Sequence, residues 1–327
     1  MFKVTCLRPK TDFSDYDVDI PDEVEASFCT NYEEEAICSA CKDADAILAP
    51  SPFPQITGNT IRSSENLKLI QLTGAGFNTV DLEAAREKGV IVANVPGGNA
   101  RAVAEYSFTM MGMLMRHFSI AALEMSNGAD FSQLRQMLVS ARPCEYKDRV
   151  LGIYGIGKIG LELAKIAHLF GMKIIYHDII TLPPELEKQL GATRVEFDEL
   201  LESSDVLSIH VPLNKFTQGI IGWDELKKMK RTAFLINGSR GGIVDEEALC
   251  RAIEEKIIAG AAVDSFVREL LPFDHPLRTV SRKSKGRLIL TPHIAGTTVQ
   301  SFQKMFTESW ANILRVKNGE KPVNIVI

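Results

Sequence analysis

Short apolar runs recur along the whole chain, and segments whose apolar positions return every three or four residues lie between them. The runs are "KVTCL", "AILAP", "LKLIQLT", "VIVAN", "RVLGIYG", "KIIYHD", "VLSIHV", "AFLINGS", "IAGAAVD" and "RLILTP". Segments such as "TVDLEAAREKG", "KIGLELAKIAHLFG" and "DEEALCRAIEEK" predict amphipathic helices. Strand and helix in alternation predict parallel sheets joined by crossover helices, an α/β fold. Two places suit domain crossings. In "NVPGGNARAVAEYSF" a Pro-Gly-Gly turn precedes a long helix expected to reach Ser126. In "LTPHIAGTTVQSFQKMF" a strand ends at a proline before another long helix.

The chain has 327 residues, more than one core comfortably fills, so two domains are expected. If the chain leaves the first domain near 100 and returns near 297, residues 1–99 and 297–327 form one discontinuous domain. Residues 100–296 then form a second domain inserted into it. The net charge of −5 argues against general nucleic-acid or anionic-membrane binding. The one basic cluster, "SRKSKGR" at 281–287, reads as a solvated loop. No apolar run is long enough to span a bilayer, and "MFKVTCLRP" reads as a first strand rather than a signal peptide. Six cysteines, at 6, 29, 38, 41, 144 and 250, are too sparse for a disulfide scaffold. Cys38 and Cys41 fall a turn apart on a predicted helix, with no second pair and no His at ligand spacing. They read as small buried residues, so no metal is expected and the compartment is expected to be the cytoplasm.

"VLGIYGIGKIG" at 150–160 carries the strongest motif. Gly155, Gly157 and Gly160 match G-x-G-x-x-G between a predicted strand and a predicted helix. A second strand then ends at Asp178, about twenty residues on, as a dinucleotide fold requires. Gly155 permits a tight turn, Gly157 lets the backbone approach a pyrophosphate, and Gly160 lets the helix pack on the strand. The pyrophosphate sits at the positive end of that helix. Asp178 accepts hydrogen bonds from the adenosine ribose and repels a 2′-phosphate. "HDIITLPP" holds no Arg or Lys to offset that, so NAD is expected rather than NADP.

Three later segments place polar groups at predicted strand ends, where open α/β sheets hold ligands. They are "FLINGSRGGIVDE" with Asn237, Ser239 and Arg240, "GAAVDSFVRELLP" with Asp264 and Glu269, and "RLILTPHIAG" with His293. Singly, each reads as a turn or cap residue. Together, in the domain that holds the glycine turn, they suggest a site.

The sequence resembles the D-isomer-specific 2-hydroxyacid dehydrogenases. The resemblance rests on "TGAGFNTVDLEAAREKGVIVANVPGGNARAVAE", "GIYGIGKIG", "NGSRGGIVDEEAL", "AVDSF" followed by "DHPL", and "LTPHIAG", in that order from about 65 to 300. It implies two Rossmann-like or flavodoxin-like parallel-sheet domains. An NAD domain is inserted into a discontinuous substrate domain, with a cleft between them. Arg240 then matches the substrate-binding arginine, His293 the acid/base histidine and Glu269 its carboxylate partner. The residue types suit the chemistry. A guanidinium fork can hold a carboxylate and an adjacent ketone, and an imidazole can exchange a proton near neutrality. Ala75 and Gly76 in "GAGF" match the loop whose backbone N–H groups meet the substrate carboxylate. Asp264 matches the acceptor for the nicotinamide carboxamide, Val103 a neighbour of that ring, and Val211 and Pro212 the adenine wall. Ile156, Lys158, Ile159, His210, Thr217, Asn237, Ser239 and Ala295 complete the expected cofactor set. Val267 stands where an acid is frequent, Leu270 where a proline is frequent, and Asn78 where an aspartate is common.

For the substrate, "LAPSPFPQIT" lacks the arginine that phosphoglycerate-specific relatives place there. Arg62 and Arg101 are the remaining phosphate partners, and the chain stops at Ile327 with no appended regulatory domain expected. A small acid such as glyoxylate or hydroxypyruvate fits, and a 3-phosphoglycerate-type substrate stays open though less favoured. The Met-rich "AVAEYSFTMMGMLMRHF" helix is apolar around most of its girth, which predicts burial. In the resembling family this helix helps form a two-fold dimer, so a homodimer is expected, with His117 structural. Two other readings stay open: an NAD(H)-sensing protein of the corepressor type, and a phosphite- or formate-type dehydrogenase.

Overall fold

All ten apolar runs form strands in the computed structural model, which describes residues 1–50, 53–284 and 286–327. The chain forms two compact units, Met1–Asn99 with Thr297–Ile327, and Ala100–Gly296.

The first unit holds β1 (Phe2–Cys6), β2 (Val24–Phe28), β3 (Ala46–Ala49), β4 (Leu69–Leu72) and β5 (Ile91–Ala93). All pair in parallel, in the order β2-β1-β3-β4-β5. This is the flavodoxin-like order. Helices Glu34–Cys41, Gly58–Ser63 and Leu82–Lys88 bury Ile37, Cys41, Ile61 and Ala85 on one face of the sheet. Helix Val299–Lys317 lays Phe306, Trp310 and Ile313 on the other face, against Phe13. Each such side chain, fully buried, contributes about 1.5–3 kcal/mol. Asn312 locks the returning helix in register. Its Nδ2 donates to Gln71 Oε1 on β4 at 2.9 Å, and its Oδ1 accepts from Val323 N at 2.9 Å.

The second unit holds β6 (Val150–Tyr154), β7 (Lys173–His177), β8 (Ala192–Arg194), β9 (Val206–Ile209), β10 (Phe234–Asn237), β11 (Gly260–Val263) and β12 (Leu288–Leu290). They too are parallel, in the order β12-β11-β10-β9-β6-β7-β8. The order reverses between β6 and β9, the switch point at which such sheets take ligands.

Two details differ from expectation. The helix after the Pro-Gly-Gly turn does not run to Ser126. It spans Ala100–Met115, His117 adopts a left-handed φ of 54°, and a second helix covers Phe118–Ser126. The break separates two environments. Met111, Leu114 and Met115 are buried against helix Lys158–Leu169 and the sheet, whereas Phe118, Leu123 and Met125 are exposed. The basic cluster at 281–287 is not simply a loop. Ser281–Lys283 form the last turn of helix Pro276–Lys283, where cations suit the C-terminal dipole. Arg287 donates to Ile253 O at 2.8 Å, and Lys285 lies outside the described residues.

Candidate active site

The glycine turn is forced by contacts that a Cβ would make. Gly155 holds φ 98°, and a Cβ there would lie 2.8 Å from the His210 carbonyl carbon. At Gly160 a Cβ would lie 2.2 Å from Gly155 O. Gly157 differs: its φ is −61° and nothing among the described residues lies within 4 Å of a Cβ. No internal contact demands glycine at 157, so the space above it is open to a ligand. Gly157 caps helix Lys158–Leu169 without a side-chain acceptor, leaving first-turn N–H groups for an anion. Asp178, just after β7, steadies the turn. Its Oδ2 accepts from Ile156 N at 2.6 Å and its Oδ1 from Ile180 N at 3.1 Å.

The wall beside the turn comes from the segment after β9. His210 is half-buried, and burial of its ring lowers its pKa to about 3, so the imidazole is neutral. Its Nε2 pairs with Ser208 Oγ at 2.8 Å, while its Nδ1 has no partner among the described residues. Thr217 Oγ1 donates to Pro212 O at 2.6 Å and accepts from Asn214 N at 2.9 Å, closing the 212–217 loop. Ser239 Oγ bridges to Val211 O at 2.5 Å, tying this wall to the segment after β10.

That segment presents Arg240. Buried Asn237 accepts from Ser239 N at 3.2 Å and donates to Arg240 O at 3.0 Å, an Asx-type turn that fixes the backbone. Arg240 is half-buried. Burial pulls its pKa down, and the carboxylate of Glu269 pushes it back up. One guanidinium nitrogen, Nη1, donates to Ser239 O at 2.8 Å. Gly241 is where this loop meets the chain leading to Glu269: a Cβ would fall 1.9 Å from the Phe266 carbonyl carbon. Only glycine lets the two segments approach this closely.

His293 follows β12 with φ 56°, and its Nδ1 lies 2.9 Å from Glu269 Oε1. A carboxylate there selects the tautomer with the proton on Nδ1, and Nε2 has no hydrogen-bond partner among the described residues. Arg240, Glu269 and His293 thus form one electrostatically connected group. Asp264 acts as the clamp beneath it. Its Oδ1 accepts from Thr291 Oγ1 at 2.5 Å and Ile294 N at 2.9 Å, and its Oδ2 from Ala295 N at 2.7 Å. Among the described residues these bonds fill three of the about four lone-pair positions on a carboxylate. Val103 and Ala295 are both buried in this unit.

In the first unit, Ala75 and Gly76 lie in the loop after β4. Asn94 Nδ2 holds the loop by donating to Ala75 O at 2.7 Å. The N–H groups of Ala75 and Gly76 have no partner among the described residues, although Gly76 is buried.

Comparison with known proteins decides the family. Residues 108–295 match the profile of the D-isomer specific 2-hydroxyacid dehydrogenase NAD binding domain. The chain is 33% identical over 293 residues to a glyoxylate reductase of Korarchaeum cryptofilum, covering 90% of this chain and 86% of that protein. The chain belongs to the D-isomer specific 2-hydroxyacid dehydrogenases. It is also 33% identical over 303 residues to a D-3-phosphoglycerate dehydrogenase of Methanocaldococcus jannaschii, spanning 92% of this chain but only 55% of that one. An NAD-complexed member from Lactobacillus delbrueckii ssp. bulgaricus superposes with a TM-score of 0.80 at 28% identity, over 99% of this chain and 100% of that one. This dehydrogenase is therefore an NAD-dependent oxidoreductase, and the open space at Gly157 fits its cofactor.

Several site groups carry no sequence signal of their own. Tyr106 Oη meets Thr291 Oγ1 at 2.6 Å and so extends the Asp264 clamp to helix Ala100–Met115. Glu246 accepts from Val267 N at 2.8 Å and lies 3.3 Å from His275 Nε2, anchoring the stretch that carries Glu269. Arg194 on β8 donates to the Asp178 backbone carbonyl at 3.1 Å. "HDIITLPP" contains no cation, but the neighbouring strand supplies one. Arg101, by contrast, is paired with Glu105 at 2.6 Å and Glu162 at 3.5 Å.

Proposed function

We propose that this dehydrogenase interconverts a small unphosphorylated 2-oxo acid and the corresponding D-2-hydroxy acid, with Arg240, Glu269 and His293 as its catalytic group. The observation that carries the reading is the 2.9 Å His293–Glu269 pair in the unit that also bears Arg240. The bound nicotinamide supplies a hydride in reduction and takes one up in oxidation. Arg240 holds the substrate's carboxylate and ketone oxygens in its fork and draws charge toward the carbonyl oxygen. His293 gives its Nε2 proton to that oxygen as negative charge develops, and takes a proton from the hydroxyl in the reverse direction. Glu269 keeps Nδ1–H in place and so orients the imidazole.

Phosphorylated acids are disfavoured. Arg101 is already neutralised by two carboxylates, and no arginine lies in the 48–57 stretch, of which Ser51 and Pro52 fall outside the described residues. The test follows NADH oxidation over a panel of glyoxylate, hydroxypyruvate, pyruvate and phosphohydroxypyruvate, with formate and phosphite run against NAD+. We expect kcat/KM for glyoxylate or hydroxypyruvate to exceed that for the phosphorylated acid at least tenfold. NADH binding with no turnover on any acid would favour the sensor reading, and turnover of formate or phosphite alone would favour the third.

On the cofactor side, the two Asp178 oxygens each keep acceptor capacity for the adenosine ribose. Replacing Asp178 with Ala should lower the ratio of kcat/KM for NADH over NADPH by tenfold or more. The loss removes the repulsion of a 2′-phosphate and leaves Arg194 beside the vacated position. An unchanged ratio would place ribose recognition elsewhere.

The protein is also proposed to be a cytoplasmic homodimer. The support lies less in the Met-rich helix, which is buried in its own unit, than in the segment after it. Phe118, Leu123, Met125, Phe131, Met137 and Val139 are all exposed within that segment. No helix among the described residues is long and apolar enough to cross a membrane.

A further inference from the structure

Tyr106 stands one turn after Val103 on helix Ala100–Met115, half-buried, with its ring packed against the core of the second unit. Two segments used by the proposed chemistry pass beside it. Its hydroxyl lies 2.6 Å from Thr291 Oγ1, just before His293 in the chain. Its ring lies against Gly238, just before Arg240: a Cβ there would fall 3.7 Å from Tyr106 Cδ1 and Cε1, and 3.8 Å from Ala295 Cβ. One side chain therefore touches both the segment that carries His293 and the loop that carries Arg240.

Proton counting gives the hydroxyl contact a direction. Thr291 Oγ1 carries one proton and donates it to Asp264 Oδ1 at 2.5 Å. The bond between the two hydroxyls must then be donated by Tyr106. Burial pushes the pKa of the phenol above its ordinary value, so that proton stays in place through the physiological range. The result is an ordered chain from Tyr106 to Thr291 to Asp264, in which each donor polarises the next. Asp264 is buried and passes the constraint on, since it also accepts from Ile294 N at 2.9 Å and Ala295 N at 2.7 Å. These bonds reach residues on both sides of His293. The His293 backbone needs such a bracket. Its φ of 56° is a left-handed value that a residue with a Cβ adopts at a cost and keeps only where its surroundings hold it. Thr291 N donates to Val263 O at 3.1 Å and His293 N to Thr291 O at 3.0 Å, which tightens the segment from within. Tyr106 ties the bracket to a separate helix.

We propose that Tyr106 is a positioning residue for the dehydrogenase reaction: through Thr291 and Asp264 its hydroxyl holds the His293 imidazole where proton transfer needs it. This role rests on His293 being the acid/base group proposed above. Tyr106 itself exchanges no proton with the substrate. It acts on rate by geometry, because a shift of about 1 Å at a reacting group costs about 10²-fold. Losing one bond from a bracket that keeps the others allows a fraction of that shift.

The experiment follows NADH oxidation with glyoxylate, or with the acid of the panel above that turns over fastest, in the full-length protein. Phenylalanine at 106 keeps the ring against Gly238 and removes only the hydroxyl, so the fold should hold. Tyr106→Phe should lower kcat about tenfold, with KM for the acid and for NADH within about twofold. The solvent deuterium isotope effect on kcat should rise above the wild-type value, as proton transfer becomes the slow step. Thr291→Val breaks both bonds and should cost about 10²-fold, whereas Thr291→Ser keeps the hydroxyl and should stay within about threefold of wild type. The Tyr106→Phe/Thr291→Val pair should match Thr291→Val, because the two groups act in series. Should Thr291→Val fold poorly, the rate, KM and isotope effect of Tyr106→Phe decide the question alone. An unchanged kcat in Tyr106→Phe overturns the proposal, whether or not the melting temperature falls. So does a lower kcat with an unchanged isotope effect, which moves the loss to another step. A rise in KM with kcat intact overturns it by making Tyr106 a ligand contact, and losses that multiply in the pair overturn it by giving Tyr106 a route other than Thr291. His293→Gln in the same assay separates this role from the reading beneath it. A wild-type rate there removes His293 itself, whereas a large loss there beside a wild-type rate in Tyr106→Phe removes only the role of Tyr106.

Discussion

Arg240→Ala is expected to lower kcat/KM by about 10³-fold or more while NADH binding, followed by fluorescence, changes less than threefold. The rate loss corresponds to about 4 kcal/mol of transition-state stabilisation. Removing a single preorganised donor to a developing oxyanion costs about 10²–10³ in rate. Arg240 would in addition align the carboxylate and the ketone, and a misplacement of about 1 Å costs a further 10²-fold. The structure makes the position sensitive. Asn237 fixes the Arg240 carbonyl, and Gly241 lets the loop lie against the Phe266 backbone. Arg240→Lys should recover little, because a point charge cannot reproduce the fork. NADH binding should persist because Gly157 and Asp178 lie after other strands, β6 and β7. Retained activity in Arg240→Ala would remove this residue from the scheme. A collapse of NADH affinity instead would show that Arg240 supports the cofactor.

Most of the scaffold was legible because parallel strands in an α/β protein read as unbroken apolar runs. The two strands that the pattern missed lie at sheet edges and lack such runs. β2, "VEASF", alternates buried with exposed positions, and β8 has three residues, of which Thr193 and Arg194 are exposed. The glycine turn was legible for a different reason: Gly155 and Gly160 answer to steric contacts within one strand–helix unit. The supports of the site were not legible, because they are long-range. Tyr106 reaches Thr291 across 185 positions and Arg287 reaches Ile253 across 34. Arg194 approaches Asp178 only because β8 pairs with β7. Asp264 shows both sides of this. Its place at the end of β11 could be read from the sequence, but its three bonds to Thr291, Ile294 and Ala295 could not. Those bonds make it a holder of the His293 segment as well as a candidate cofactor ligand.

His293→Gln is expected to lower kcat by about 10²–10⁴-fold, the range in which a positioned general acid contributes. Glutamine preserves a side-chain amide that can still meet Glu269, so folding should hold, but it has no proton to exchange near neutrality. The expected signature is a change in shape as well as in height. The wild-type rate should depend on pH across the imidazole range, and the variant's should be flat there. Glu269→Gln should cost less by itself, because Nε2 survives while the tautomer and the ring orientation lose their support. The double variant should be little worse than His293→Gln, since a carboxylate that acts through the imidazole has nothing left to act on once the imidazole is gone. Additive losses would give Glu269 a role independent of His293, with Arg240, whose cationic form it supports, as the neighbouring group to examine. Wild-type turnover and pH dependence in His293→Gln would instead assign the proton transfer to another group. The 2.9 Å pair would then be a structural contact that holds the 291–295 segment.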